Sequence, residues 1–190
     1  HQDSGVVSQW QPVQALSASA TSTLNAIADN SPADPPAARL AWRDAIHAEE
    51  AAFADASGAT VHGDVNLAQV ISHFRTHTPD DAIVVSDAGT FGRWLHRYYP
   101  FSHADTSLGP VSGAMGYGVP GGIGAQVAQP DRAVFVWVGD GGFLMTGHDA
   151  VVMVQEELPV KIIVCDNSAW GSIMVSAQSR FPGMEYGTRL

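Results

Sequence analysis

Cysteine, lysine and long apolar runs are nearly missing from this sequence, and each shortage excludes something. The one cysteine, Cys165, sits inside the run VKIIVCD; it reads as a buried, reduced core position, which removes a disulfide-stapled scaffold from consideration. A reducing, cytoplasmic setting is expected. Lys161 is the only lysine, and 9 Lys+Arg stand against 19 Asp+Glu for a net charge of -10. That leaves no basic stripe to follow a phosphate backbone, so nucleic acid is not an expected partner. No stretch approaches the roughly 18 apolar residues of a membrane span, and the start, HQDSGVVSQW, has neither the charged nor the apolar region of a signal peptide. No membrane partner is expected. The first residue is not Met, so the chain is expected to be a piece of a longer polypeptide. Charge of either sign is itself scarce, at 15% against about 25% in ordinary domains, which implies a surface normally covered by something else. What remains is ample apolar material: 45% of 190 residues, enough for one domain and a remainder without a structural metal.

Prolines divide the chain. Residues 1 to 35 hold VVSQWQPVQAL and the modest helix candidate SASATSTLNAIADN, then SPADPPAA, where Pro32, Pro35 and Pro36 break any helix. They read as the end of a preceding unit and a linker. Residues 36 to 61 carry a connecting helix, ARLAWRDAIHAEEAAFADA, with apolar positions at Leu40, Ile46 and Phe53 and an end at Gly58. From His62 to residue 190 the pattern alternates. The helix candidate NLAQVISHFRTH precedes the apolar run AIVVSDAG; AVFVWVGDGG and VKIIVCDNS follow, and the three end in Asp87, Asp140 and Asp166. Such runs suit strands buried on both faces. Between them lie a glycine-rich helix ending before Pro130 and the helix candidate FLMTGHDAVVMVQEEL. This predicts an α/β domain, a parallel sheet with helices on both faces and right-handed crossovers.

Strand ends on one edge of such a sheet are where ligands bind. One crossover joins the strands ending at Gly139 and at Asp166, so the oxygens of Asp140 and Asn167 are expected to converge. Hard oxygen donors of this kind suit Mg²⁺, which keeps substrate phosphates in its shell. Gly141 and Gly142 leave the backbone bare where a helix begins, so their N–H groups are expected to face an anion such as a diphosphate. Alone, Asp140 reads as a helix cap. Its pairing with Asn167, with residues 142 to 166 between Gly141 and that asparagine, carries the sharper reading.

The spacing GDG, two dozen residues, Asn resembles the cofactor motif of thiamine diphosphate-dependent enzymes. GPVSGAMGYGVPGGIGAQVAQPDR and DNSAWGSIMVSAQSRFPGMEYGTRL resemble the flanking segments of its acetolactate synthase-like branch. The likeness covers residues 62 to 190 as the diphosphate-binding domain, ending before the family's last strand and helix. It implies Mg²⁺ on the side chains of Asp140 and Asn167 and the carbonyl of Ala169. It also implies cofactor contacts from Gly139, Gly141, Gly142, Gly171 and Ser172, with Gly89 and Thr90 beside the diphosphate. Met115 is implied as the apolar prop that bends the cofactor, with the Gly113 and Met115 main chains at the aminopyrimidine; by composition alone Met115 is core filler.

The implied activity is decarboxylation or carboligation of a 2-oxo acid, the cofactor carrying the hard step. The activating glutamate is implied on a pyrimidine-binding domain of the same or a neighbouring subunit, in a homodimer or homotetramer. No catalytic side chain is therefore named in this chain, and alone it is expected to be inactive. Asp166 stands where the family usually has a second asparagine, Thr90 and Phe91 where acetolactate synthases have glutamine and histidine, and Ser176 where they have tryptophan. These departures leave a related carboligase or decarboxylase as open as an acetolactate synthase. A noncatalytic module of the same fold, serving assembly or regulation, is the alternative. His73 and His77 stand four apart but lack a third ligand; His96 and His103 flank YYPF in an expected loop, and His148 reads as a surface residue.

Overall fold

The first two helices start at a side-chain cap and at a proline. The computed structural model describes residues 17–32, 34–61 and 63–190, and the boundary between its two compact units falls between Glu50 and Ala51. Residues 1 to 16, read above as the tail of a preceding unit, lie outside the described residues, as does His62. Helix α1 (Ala20–Asp29) begins where the Ser19 side chain accepts the Ser22 N–H, supplying an acceptor to a donor that a helix start leaves unpaired. Helix α2 (Ala37–Phe53) starts after Pro36, whose carbonyl accepts from Arg39 and Leu40. It stops at Phe53, earlier than the apolar spacing predicts, because the Asp55 carboxylate takes the Ser57 N–H and hydroxyl into a local turn that competes with the helix.

The second unit is a four-stranded sheet, every pair parallel, in the order β2-β1-β3-β4. Helix α3 (Leu67–Thr76) leads into β1 (Ile83–Ser86); α4 (Gly92–Tyr98) leads to β2 (Ser107–Leu108); α5 (Gly118–Ala128) leads to β3 (Val134–Gly139). Helix α6 (Asp140–Thr146), a 3-10 turn (Gly147–Asp149) and α7 (Ala150–Gln155) lead to β4 (Lys161–Cys165), and α8 (Gly171–Arg180) follows. Side chains alternate across β3. Trp137 packs on one face with Ile71 of α3 and Leu95 and Tyr98 of α4; Val134, Val136 and Val138 pack on the other with Ala125 of α5. Each fully buried valine stabilises the fold by about 1.5–3 kcal/mol relative to leaving it exposed. No helix of the described residues is long and apolar enough to cross a membrane.

Three expectations change, and one element was not expected. The YYPF stretch is not bounded by loop on both sides: His96 lies on α4, a short, aromatic-rich helix held by packing of Leu95 and Tyr98 rather than by propensity. Strand β2, two residues long, is too short to show a period. The helix candidate after the second strand starts at Asp140 itself and is interrupted at Gly147, where a Cβ would overlap the Phe143 ring. Strand β4 is not buried on both faces. It is the edge of the described sheet, pairing only with β3, and Val164 is 42% exposed.

Candidate functional site

The register of β3 on β4 pairs Gly139 with Cys165, so both strands end level and Asp140 and Asp166–Asn167 leave the sheet side by side. Asp140 Oδ1 accepts the Gly141 N–H at 2.8 Å, and Oδ2 accepts the N–H groups of Asn167 and Ala169, each at 3.2 Å. Asn167 Oδ1 accepts from Ala169 at 3.2 Å as well. The intervening Ser168 has φ +52°, an uncommon conformation for a residue with a side chain. Asp166 holds it there, accepting its N–H at 2.7 Å and its hydroxyl at 3.2 Å. The Ser168 backbone N–H is also the main reason the Asp166 carboxyl titrates below the usual range. The loop is tied from outside by the end of the chain: Trp170 N–H donates to Thr188 O at 2.9 Å and Leu190 N–H to Ser168 O at 3.0 Å.

A cleft of about 870 Å³ opens at this edge of the sheet. Of the residues singled out from sequence, it gathers Gly89, Thr90, Met115, Gly139, Asp140, Gly141, Gly142, Asn167, Ala169, Gly171 and Ser172 in its lining; Gly113 lies outside it. Met115 is 38% exposed, so core filler does not describe it. The Gly171 N–H donates to the Ala169 carbonyl at 2.8 Å, which leaves that carbonyl a second lone pair. Gly141 and Gly142 are less bare than the sequence suggests. A Cβ on Gly141 would overlap the Trp170 indole, and one on Gly142 would overlap Asp87 Oδ2.

Several lining residues escaped the sequence reading. Val65, Leu67, Val70, Trp94 and Ile163 form an apolar side of the cleft, and Asp64 adds a carboxylate. Cys165 is not a fully buried core residue: it is half-buried and lines the cleft. Burial, with the charge of Asp140 beside it, pushes its thiol up to about 11, so it stays protonated at neutral pH and is a poor nucleophile. Asp87, noted only as a strand end, is 3% exposed and bonds the loop that carries Met115. The only hint was that all three apolar runs end in aspartate. No histidine is among the described lining residues, and His148 lies exposed on the 3-10 turn, 3.4 Å from Asp149.

The donors fit a hard cation better than a soft one: one carboxylate, one amide oxygen and one carbonyl. Among the described residues no group of three His, Cys, Asp or Glu comes together. The family model described as "Thiamine pyrophosphate enzyme, C-terminal TPP binding domain" matches residues 87–189. The chain belongs to the thiamine pyrophosphate enzymes.

Within this family it is 36% identical over 113 residues to the acetolactate synthase large subunit of Lactococcus lactis, covering 58% of this chain and 19% of that protein. It is 33% identical over 105 residues to 3D-(3,5/4)-trihydroxycyclohexane-1,2-dione hydrolase 1 of Bacillus cereus, covering 55% and 16%. Among solved structures, the thiamine diphosphate-dependent 4-hydroxybenzoylformate decarboxylase of Rhodococcus jostii RHA1 superposes with a TM-score of 0.74 at 25% identity, over 98% of this chain and 34% of that one. The parallel sheet with helices on both faces is thus the thiamine diphosphate-binding fold. The chain spans about a sixth to a third of the length of these relatives.

Proposed function

We propose that this chain supplies the diphosphate half of the cofactor site in a thiamine diphosphate- and Mg²⁺-dependent, cytoplasmic enzyme that acts on a 2-oxo acid by decarboxylation, carboligation or both. The charge of the cleft carries the reading. Its described lining includes Asp64, Asp140 and Asp166 and no Lys, Arg or His, so a diphosphate meets no protein cation there. An anion beside three carboxylates is strongly disfavoured unless a divalent cation joins them. Asp140, Asn167 and the Ala169 carbonyl are the proposed ligands.

The remaining roles follow from the main chain. The N–H groups of Gly142 and Ser172, in the first turns of α6 and α8, have no intrahelical acceptor and are the proposed diphosphate donors, with Gly89 and Thr90 beside them. Gly139 keeps the strand end slim, and Gly141 and Gly171 hold the two turns through bonds to Asp140 and Ala169. Met115 props the cofactor, and the Gly113–Met115 main chain faces its pyrimidine end. When bound, thiamine diphosphate would supply a nucleophilic carbon for the substrate carbonyl and a thiazolium ring as the sink for the electrons left by CO₂. The activating glutamate comes from a pyrimidine-binding domain of the same or a neighbouring subunit, in a homodimer or homotetramer. Such an assembly also accounts for the low charge of the surface.

Calorimetry on the full-length protein tests this. Thiamine diphosphate is expected to bind only with Mg²⁺ present, and Asp140→Ala is expected to abolish that binding; unchanged binding overturns the proposal. CO₂ release from pyruvate, glyoxylate or benzoylformate then separates substrates. Cofactor binding with no turnover of any 2-oxo acid would make the protein a noncatalytic module.

A further inference from the structure

The carboxylate of Asp87 lies where three segments of the site meet. It follows β1 directly, is 3% exposed, and is surrounded by backbone donors from the loop that carries Met115. Its Oδ2 accepts the Gly116 N–H at 2.9 Å; its Oδ1 accepts the Tyr117 N–H at 3.1 Å and the Ala88 N–H at 2.8 Å. Two glycines clear the space around it, and a third takes the backbone turn that brings its N–H to it. A Cβ on Gly142, in the turn after β3, would overlap Oδ2; one on Gly118 would lie 3.1 Å from the Asp87 Cβ; Gly116 takes φ +84°, which side chains rarely adopt. On the far side, the Thr146 hydroxyl donates to the Gly116 carbonyl at 3.0 Å. Gly116 is therefore held at both of its main-chain polar groups, its N–H by Asp87 after β1 and its carbonyl by Thr146 of α6.

We propose that Asp87 is the positioning residue of the site: through Gly116 and Tyr117 it sets the height of Met115 over the Gly139–Gly142 turn. This gives Gly142 and Gly118 a cause separate from any bound anion, since they make room for a carboxylate of the chain itself. A charged acceptor suits the task because one group has to satisfy donors on two segments at once, and hydrogen bonds to charged acceptors are stronger than neutral ones. An asparagine of the same shape offers one oxygen and turns an N–H₂ toward the Gly116 N–H. The inference rests on the reading of Met115 as the prop beneath thiamine diphosphate.

The test uses the full-length protein and the variant Asp87→Asn, with two readouts. Amide hydrogen exchange in the cofactor-free protein is expected to accelerate about tenfold or more at residues 113–117 while β1 and β3 keep their protection. Calorimetry with thiamine diphosphate at saturating Mg²⁺ is expected to show affinity reduced about tenfold or more. If the wild-type protein does not bind thiamine diphosphate, the proposed function fails while the exchange readout still tests Asp87. Unchanged exchange at 113–117, a uniform rise throughout the domain, or a local rise with unchanged affinity each overturns the positioning role. Should Asp87→Asn fail to fold, Thr146→Val removes the other grip on Gly116. It is expected to give the same local pattern with a severalfold loss of affinity, and the same outcomes overturn the proposal.

Discussion

The side chain of Asp140 accepts the main-chain N–H of Asn167 at 3.2 Å across a separation of 27 residues. The same oxygen accepts from Ala169 at 3.2 Å and the other from Gly141 at 2.8 Å. The residue proposed to hold the cation thus also shapes the loop on which the other two ligands stand, and the two roles separate experimentally.

In metal-free protein, Asp140→Ala leaves the N–H groups of Gly141 and Asn167 without their acceptor and that of Ala169 with Asn167 Oδ1 alone, and is expected to lower stability by about 1–3 kcal/mol. Asp140→Asn keeps one acceptor oxygen and is expected to lose less. Urea titration of both variants checks this, and a metal-free Asp140→Ala protein as stable as wild type would contradict it.

Two glycines are expected to respond in opposite directions to alanine. At Gly142 the new Cβ overlaps the Asp87 carboxylate, and the cost is expected to reach about 3 kcal/mol or more. Gly124, exposed in the interior of α5, has nothing within 4 Å of the corresponding position. Gly124→Ala is expected to stabilise the fold by about 0.5–1 kcal/mol through helix propensity. Denaturant midpoints of the pair decide it.

The Cys165 thiol, raised from 9.0 to about 11 first by burial and then by the charge of Asp140, is expected to react slowly with iodoacetamide at pH 8. Its reaction rate should keep rising through pH 9–11. The raised value also means that the folded state holds its proton where the unfolded state loses it. Its contribution to stability is therefore complete below about pH 9 and lost as pH rises toward about 11. A Cys165→Ser variant should lack that decline; an ordinary thiol titration near 9 in the folded protein would refute the expectation.

Gln126, 1% exposed, has the carbonyls of Gln129, Pro130 and Arg132 at 3.1, 3.2 and 3.0 Å from Nε2, sharing the two hydrogens it donates. It closes the turn between α5 and β3 from within. Gln126→Leu removes all three bonds and is expected to cost about 1–3 kcal/mol, read from thermal unfolding.

Some of this was legible in residues alone because the signals are local. Apolar runs ending in aspartate mark strands whose ends share an edge, and GDG with Asn167 marks the junction of two such ends. The prolines at 35 and 36 mark the start of α2 for the same reason. Elements made by packing left no local trace. Helix α4 begins at a glycine and is filled with aromatics, so nothing in its composition announces a helix; the apolar surface of β1 and β3 holds it. Trp170 covering Gly141, and Thr188 accepting from Trp170, join residues through space with no spacing rule to announce them.

By itself the sequence determined the three long strands and most of the helices between them, the edge at which the cleft opens, and the pairing of Asp140 with Asn167. Periodicity and strand-end chemistry are properties of short segments. Only the tertiary structure decided that Asp87 grips the Gly116–Tyr117 loop, that Gly142 makes room for that carboxylate, and that Cys165 lines the cleft. Those relationships depend on which side chain reaches across from another segment, and a buried carboxylate is satisfied by whichever backbone donors the fold brings to it.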